Sequence, residues 1–295
     1  MTTPPLIPPA TRLGHVHLTV ADLERQLTFY QEVLGFRLHW QDGPAAGLGA
    51  GGADLLRLTQ VRKARPAAGT TGLYHVAYLL PTQQDLAYLL ARIAQQRAPV
   101  QGFSDHGTHY AIYLPDAEGN GIELAWDRPR AEWPQTFAEM VARNRGFSPQ
   151  ELLRTLPENG PGWEALPPQT CVGHVHLHVA DLAASHHFYH ELLGFGLPFD
   201  MHGAPAPWAE TVIFFAAGDY HHHIGVNTWQ GVGAPPPPVG ATGLRYFTVV
   251  LPDHEALAQL VGRLYAAGVT VTVTDDGFLV RDPAHNGLWL TAGGD

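Results

Sequence analysis

Histidine is over-used in this chain, at 18 of 295 residues, and two of these histidines open each copy of a repeated strand. Gly14-His15-Val16-His17-Leu18 recurs as Gly173-His174-Val175-His176-Leu177. Imidazole is the commonest protein metal ligand and an acid/base group near neutral pH, so position within the repeat is a better filter than clustering. By that filter His15 and His75 hold matching places on the first strands of two successive modules. Pseudo-symmetric pairing of those modules would aim both rings into one cavity. Glu123 lies between Ile122 and Leu124 and shares its strand face with Gly121 and Ala125. A carboxylate on an inner sheet face is costly unless it is paired or metal-bound. Two neutral imidazoles and one carboxylate suit non-haem Fe(II), with Mn(II), Ni(II) or Zn(II) as alternatives. His17 shares a strand face with His15 and competes with it. The clusters His186-His187-His190 and His221-His222-His223 carry less weight, the first reading as a surface or packing group beside Phe188 and Tyr189.

The elements that must position these groups are legible as periodicity. Residues 14–38 and 173–197 agree at 16 of 25 positions, which marks an internal repeat. From Leu13 to Val20 apolar residues alternate as in a strand. Asp22 then reads as the N-cap of a helix running to about Leu34, where Gly35 takes the C-cap place. Short apolar runs add two or three strands. The order returns at Gly72, with a helix from about Gln83 to Arg97, and again at Gly173 and Gly243. The expected fold is therefore α+β: four repeated βαβββ modules paired into two cupped, barrel-like mixed-sheet domains. These are residues 10–128, carrying the metal site, and 170–293, with a degenerate or secondary site. Residues 129–169 read as a helical connector, with Pro149 at a first helical position.

Composition narrows the partners. A formal net charge of -10 with 17 Lys+Arg offers no basic stripe for nucleic acid. The single Cys171 suits a reducing compartment, and the chain shows neither a secretory leader nor an apolar run of membrane-spanning length. The expectation is a cytoplasmic protein with no membrane partner; a homo-oligomer is compatible with the sequence.

The motifs Gly-His-Val-His-Leu…Asp-Leu…Phe-Tyr…Leu-Gly-Phe and Asp116…Gly119-Asn120-Gly121-Ile122-Glu123 resemble the vicinal oxygen chelate superfamily. The two-domain length is similar to its catechol 2,3-dioxygenase, or extradiol ring-cleaving, branch. The resemblance implies a facial triad of His15, His75 and Glu123, and a dioxygenase that opens a catechol or hydroquinone-like aromatic with dioxygen in aromatic catabolism. It also implies a tyrosine ten residues before the glutamate, which is Tyr113; hairpin pairing across a turn centred at Glu118 independently sets Tyr113 opposite Glu123. His106 is a candidate for orienting substrate or moving a proton, with His109 as its alternate.

The chain also departs from that pattern. Better-known two-domain extradiol enzymes carry iron in the C-terminal pair, whereas here Tyr246 and Trp289 stand where His75 and Glu123 do. His174 and His222, with Tyr246 nearby, remain as an incomplete secondary site, or as closed-cavity residues with Tyr246 and Trp289 as filling. Gln60 stands where many extradiol enzymes carry a further histidine. Two other functions are open: a glyoxalase-like metal-dependent lyase or isomerase, and an antibiotic-type sequestration protein holding ligand with Trp40, Trp126 and Trp289.

Overall fold

The computed structural model describes residues 6–157, 163–199 and 206–293. Module one is β1 (Arg12–Val20), α1 (Leu23–Thr28), β2 (Arg37–Asp42), β3 (Ala45–Gly49) and β4 (Asp54–Gln60). Module two is β5 (Gly72–Leu79), α2 (Gln83–Gln95), β6 (Gly102–Asp105), β7 (His109–Pro115) and β8 (Gly121–Asp127). The connector holds α3 (Phe137–Arg143) and α4 (Pro149–Leu153). Module three is β9 (Cys171–His178), α5 (Leu182–His186), β10 (Val212–Phe215) and β11 (Ile224–Asn227). Module four is β12 (Gly243–Leu251), α6 (His254–Ala266), β13 (Thr272–Thr274), β14 (Gly277–Arg281) and β15 (Gly287–Ala292).

Local chemistry accounts for these elements. Val16, Leu18 and Val20 are fully buried in the core, while His15 and His17 on the other face are only partly covered. The Asp22 carboxylate accepts from Arg25 N and caps α1, as Asp181 caps α5 from Ala184 N. The first helix is not uniform: it passes into a π-helical turn over Phe29–Val33 before ending at Gly35, whose φ of 72° favours glycine. Leu86, Leu89, Leu90 and Ile93 form the buried face of α2.

The pairing of modules differs from the sequence expectation. An eight-stranded sheet runs β13-β14-β15-β12-β1-β4-β3-β2, and a seven-stranded sheet runs β10-β11-β9-β5-β8-β7-β6. The antiparallel joints are β1 with β12 and β5 with β9. Module one thus shares a sheet with module four, and module two with module three. The strands of consecutive modules, within residues 10–128 and within residues 170–293, are not hydrogen-bonded into a common sheet. They are tied differently: buried Asp116 accepts from Gln26 Nε2 at 3.0 Å, and Glu118 accepts from Ala21 N. Asp282 likewise accepts from Tyr189 OH at 2.9 Å. The inter-module linkers also bond each other, Thr71 N to Pro235 O at 2.9 Å and Thr242 N to Arg65 O at 3.1 Å. A single main core draws on all four modules, rather than one core per half. Among the described residues no helix is long and apolar enough to cross a membrane.

Candidate active site

The seven-stranded sheet assembles the histidines. On its central strand, β5, His75 and Ala77 share a face. Parallel register places Ala77 beside Glu123 of β8, and antiparallel register places it beside His174 of β9. Three donors therefore converge over one methyl group. Gly121, in register with His75, lets the two strands approach: a Cβ there would run into Tyr74 O and lie 3.1 Å from His75 Cβ.

The three donor atoms form a near-equilateral triangle. His75 Nε2 lies 3.1 Å from Glu123 Oε2, His174 Nε2 lies 3.3 Å from the same oxygen, and the two nitrogens are 3.3 Å apart. Ligands at about 2.1 Å from a metal and at right angles stand about 3.0 Å apart, so the triangle matches one face of a coordination polyhedron. All three residues are buried. Burial holds the His174 imidazole down at about 4, which keeps it neutral and able to donate a lone pair at pH 7. Burial opposes the Glu123 charge, but His174 and hydrogen bonds from His109, His174 and His75 outweigh it, holding the carboxyl well below its usual range. Glu123 Oε1 is occupied separately by His109 Nε2 at 3.0 Å, while the other ring nitrogen of His109 meets the Thr108 hydroxyl at 2.8 Å. One carboxylate oxygen is held by the protein and the other is presented to the triangle. This donor set fits a divalent transition metal.

Tyr113 lies directly across the β7–β8 hairpin from Glu123, the register expected. Its hydroxyl is 2.8 Å from His106 Nε2. Burial, then the Glu123 charge, pushes the phenol well above its usual value, and burial lowers His106 to about 3. A protonated phenol thus faces a neutral imidazole. His222 packs on His174 with ring centroids 4.1 Å apart, and His221 stacks on His109 at 4.7 Å and 13° while reaching Asp127 Oδ1 at 3.0 Å. His109, Asp127 and His221 form a second group of close donor atoms. All of these residues but Asp127 line a cavity of about 360 Å³ that also exposes Trp208, Phe214 and Trp229.

His15, expected as the third ligand, is absent from this triangle. It lies in the eight-stranded sheet, Nε2 3.4 Å from Tyr246 OH and Nδ1 3.4 Å from Thr248 Oγ1. His17 Nε2 meets Thr59 Oγ1 at 2.8 Å. Tyr246 and Trp289 pack together beside them, ring centroids 5.0 Å apart. His174 joins His75 and Glu123 in the donor triangle, and His222 packs on its ring, both in the sheet that does not contain Tyr246. Gln60 donates to Ala21 O, and Trp40 to Asp54. Neither lines the cavity, nor do Trp126 and Trp289. Sequence reasoning underweighted His221 and passed over Trp208 and Trp229; these lie in irregular segments where no periodicity flags them. The His186-His187-His190 cluster, at the end of α5 and in the π-helical turn after it, behaves as read: His187 is exposed and pairs with Glu191 at 2.8 Å.

The repeated fold and this donor face define a class, and the chain belongs to the Glyoxalase/Bleomycin resistance protein/Dioxygenase superfamily, whose family model matches residues 12–124 and 172–290. It is 38% identical over 285 residues to a catechol-2,3-dioxygenase of Bacillus subtilis, covering 95% of this chain and 96% of that protein. Among solved structures, a putative dioxygenase from the same species superposes with a TM-score of 0.64 at 14% identity, over 96% of this chain and 86% of that one. A point mutant of glyoxalase I from Zea mays gives 0.58 at 16% identity, over 96% and 94%. At those identities the two structures speak for the fold.

Proposed function

We propose that this chain is a metal-dependent extradiol dioxygenase that opens the ring of a catechol or hydroquinone-like aromatic, with Fe(II) held by His75, His174 and Glu123. The observation that carries this reading is the triangle of two imidazoles and one carboxylate at the wall of a cavity sized for a single substituted ring. The 38% identity to a protein named catechol-2,3-dioxygenase supports it. When bound, the metal supplies Lewis acidity and a site where an aromatic diol and dioxygen meet. His109 fixes the Glu123 carboxylate from behind. The Tyr113 hydroxyl is placed to hydrogen-bond a diol oxygen, and neutral His106 can take up a proton through it. His222 packs against the His174 ring and holds its orientation.

The test is anaerobic purification with metal analysis, then Fe(II) loading and oxygen-electrode assays on a catechol panel. About one iron per chain with oxygen uptake and a yellow ring-opened product is the expected result. Tight Ni(II) or Zn(II) binding, with conversion of a hemithioacetal and no oxygen uptake, would replace this reading with the glyoxalase one.

A further inference from the structure

The family model leaves residues 125–171 unmatched, yet the connector helix α3 within that stretch reaches the cavity with Met140, as does its C-cap residue Asn144. Met140 is buried, and it packs with Phe137, Ala206 and Ala209 in a small apolar cluster distinct from the main core. Phe199, Trp208 and Phe214 pack against that cluster and line the cavity as well. Phe137 holds Trp208 edge-on, with ring centroids 5.5 Å apart. Val212 and Trp229 extend the apolar lining.

Charge divides the cavity unequally. Among the described residues its lining contains no Lys or Arg, while Glu123 contributes a carboxylate. All the histidines there but His176 already serve Glu123, Tyr113, Asp127 or one another, and His176 Nε2 is buried without a hydrogen-bond partner. A ligand carboxylate held against the apolar wall, away from the metal, would lose its hydration with no Lys or Arg to receive it, a penalty that disfavours it. An alkyl substituent would instead displace water from apolar wall.

We infer that the apolar wall carried by α3, with Met140 at its centre, sets ring-substituent selectivity: the site takes aromatic diols bearing an uncharged, apolar substituent and rejects those bearing a carboxylate. This rests on the ring-cleavage reading. A short connector outside the repeated modules thereby tunes a site whose chemistry the modules build.

The experiment compares catechol, 4-methylcatechol and 3,4-dihydroxybenzoate, by kcat/KM with the Fe(II)-loaded enzyme and by anaerobic equilibrium binding to the same protein. The expected order places 4-methylcatechol at or above catechol, and 3,4-dihydroxybenzoate at least about a hundredfold below both. Met140→Lys should narrow the gap between the methyl and carboxylate compounds at least about tenfold, with iron content unchanged, while Met140→Leu keeps the parent order. Equal binding of the two substituted diols would overturn the inference. So would an unchanged ratio in Met140→Lys that retains iron and its circular dichroism spectrum. Turnover of none of the three diols would instead overturn the ring-cleavage reading, and the binding constants would still decide the selectivity.

Discussion

His174 carries the clearest residue-scale prediction, because sequence and structure assign it different partners. His174→Ala removes one corner of the donor triangle and should reduce bound iron at least about tenfold. His15→Ala, in the other sheet, should leave iron content unchanged. Metal analysis of the two variants after desalting reads the difference; retention of iron by His174→Ala would refute the assignment. Acid should act through the same histidines. Burial holds His15, His174 and His221 at about 4 and His17 and His106 at about 3, all below the ordinary 6.5. Between pH 6.5 and about 4 the unfolded chain takes up protons that the folded chain refuses, so stability falls as pH falls. His109 works the other way, since its bond to Glu123 raises it against the effect of burial. The metal-free protein should therefore lose several degrees of melting temperature from pH 7 to pH 4.5. A flat profile would show that these rings are solvated.

At the scale of elements, the β5–β8 joint depends on Gly121. Any side chain there meets the Tyr74 carbonyl, which belongs to the backbone and cannot rotate away. Gly121→Val should cost about 3 kcal/mol or more and weaken metal retention with it. Thermal unfolding and metal analysis of the variant check both effects, and a parent-like melting temperature would count against the close approach. The same reasoning explains which elements the sequence revealed. The Asp22 and Asp181 caps, the α2 face and the Tyr113–Glu123 register are local, set by residues within one turn or one hairpin. The π-helical turns at 29–33 and 187–192 were not legible, since one extra residue in a helix leaves the apolar pattern nearly intact. His221 and Trp208 escaped because turns and short 3-10 segments have no period to betray which way a side chain points.

For the molecule as a whole, the decisive feature is that modules pair one with four and two with three. Expressed separately, residues 1–157 and 163–295 would each lack half of both sheets. Neither fragment alone should bind iron, and co-expression should restore binding, because His75 and Glu123 come from one fragment and His174 from the other. Iron bound by the N-terminal fragment alone would indicate pairing of consecutive modules.

The sequence by itself determined the repeat, the α+β modules and the kinds of donor in the candidate site: a histidine on a first strand and a glutamate on a last strand. Those properties follow from local periodicity and from the cost of burying a lone carboxylate. Which histidine joins His75 and Glu123 in the donor triangle was decided only by tertiary structure. All four first strands present similar edges, and the bonds joining β1 to β12 and β5 to β9 run between main-chain groups common to every residue. That choice of partner strand sets His174 rather than His15 beside His75 and Glu123.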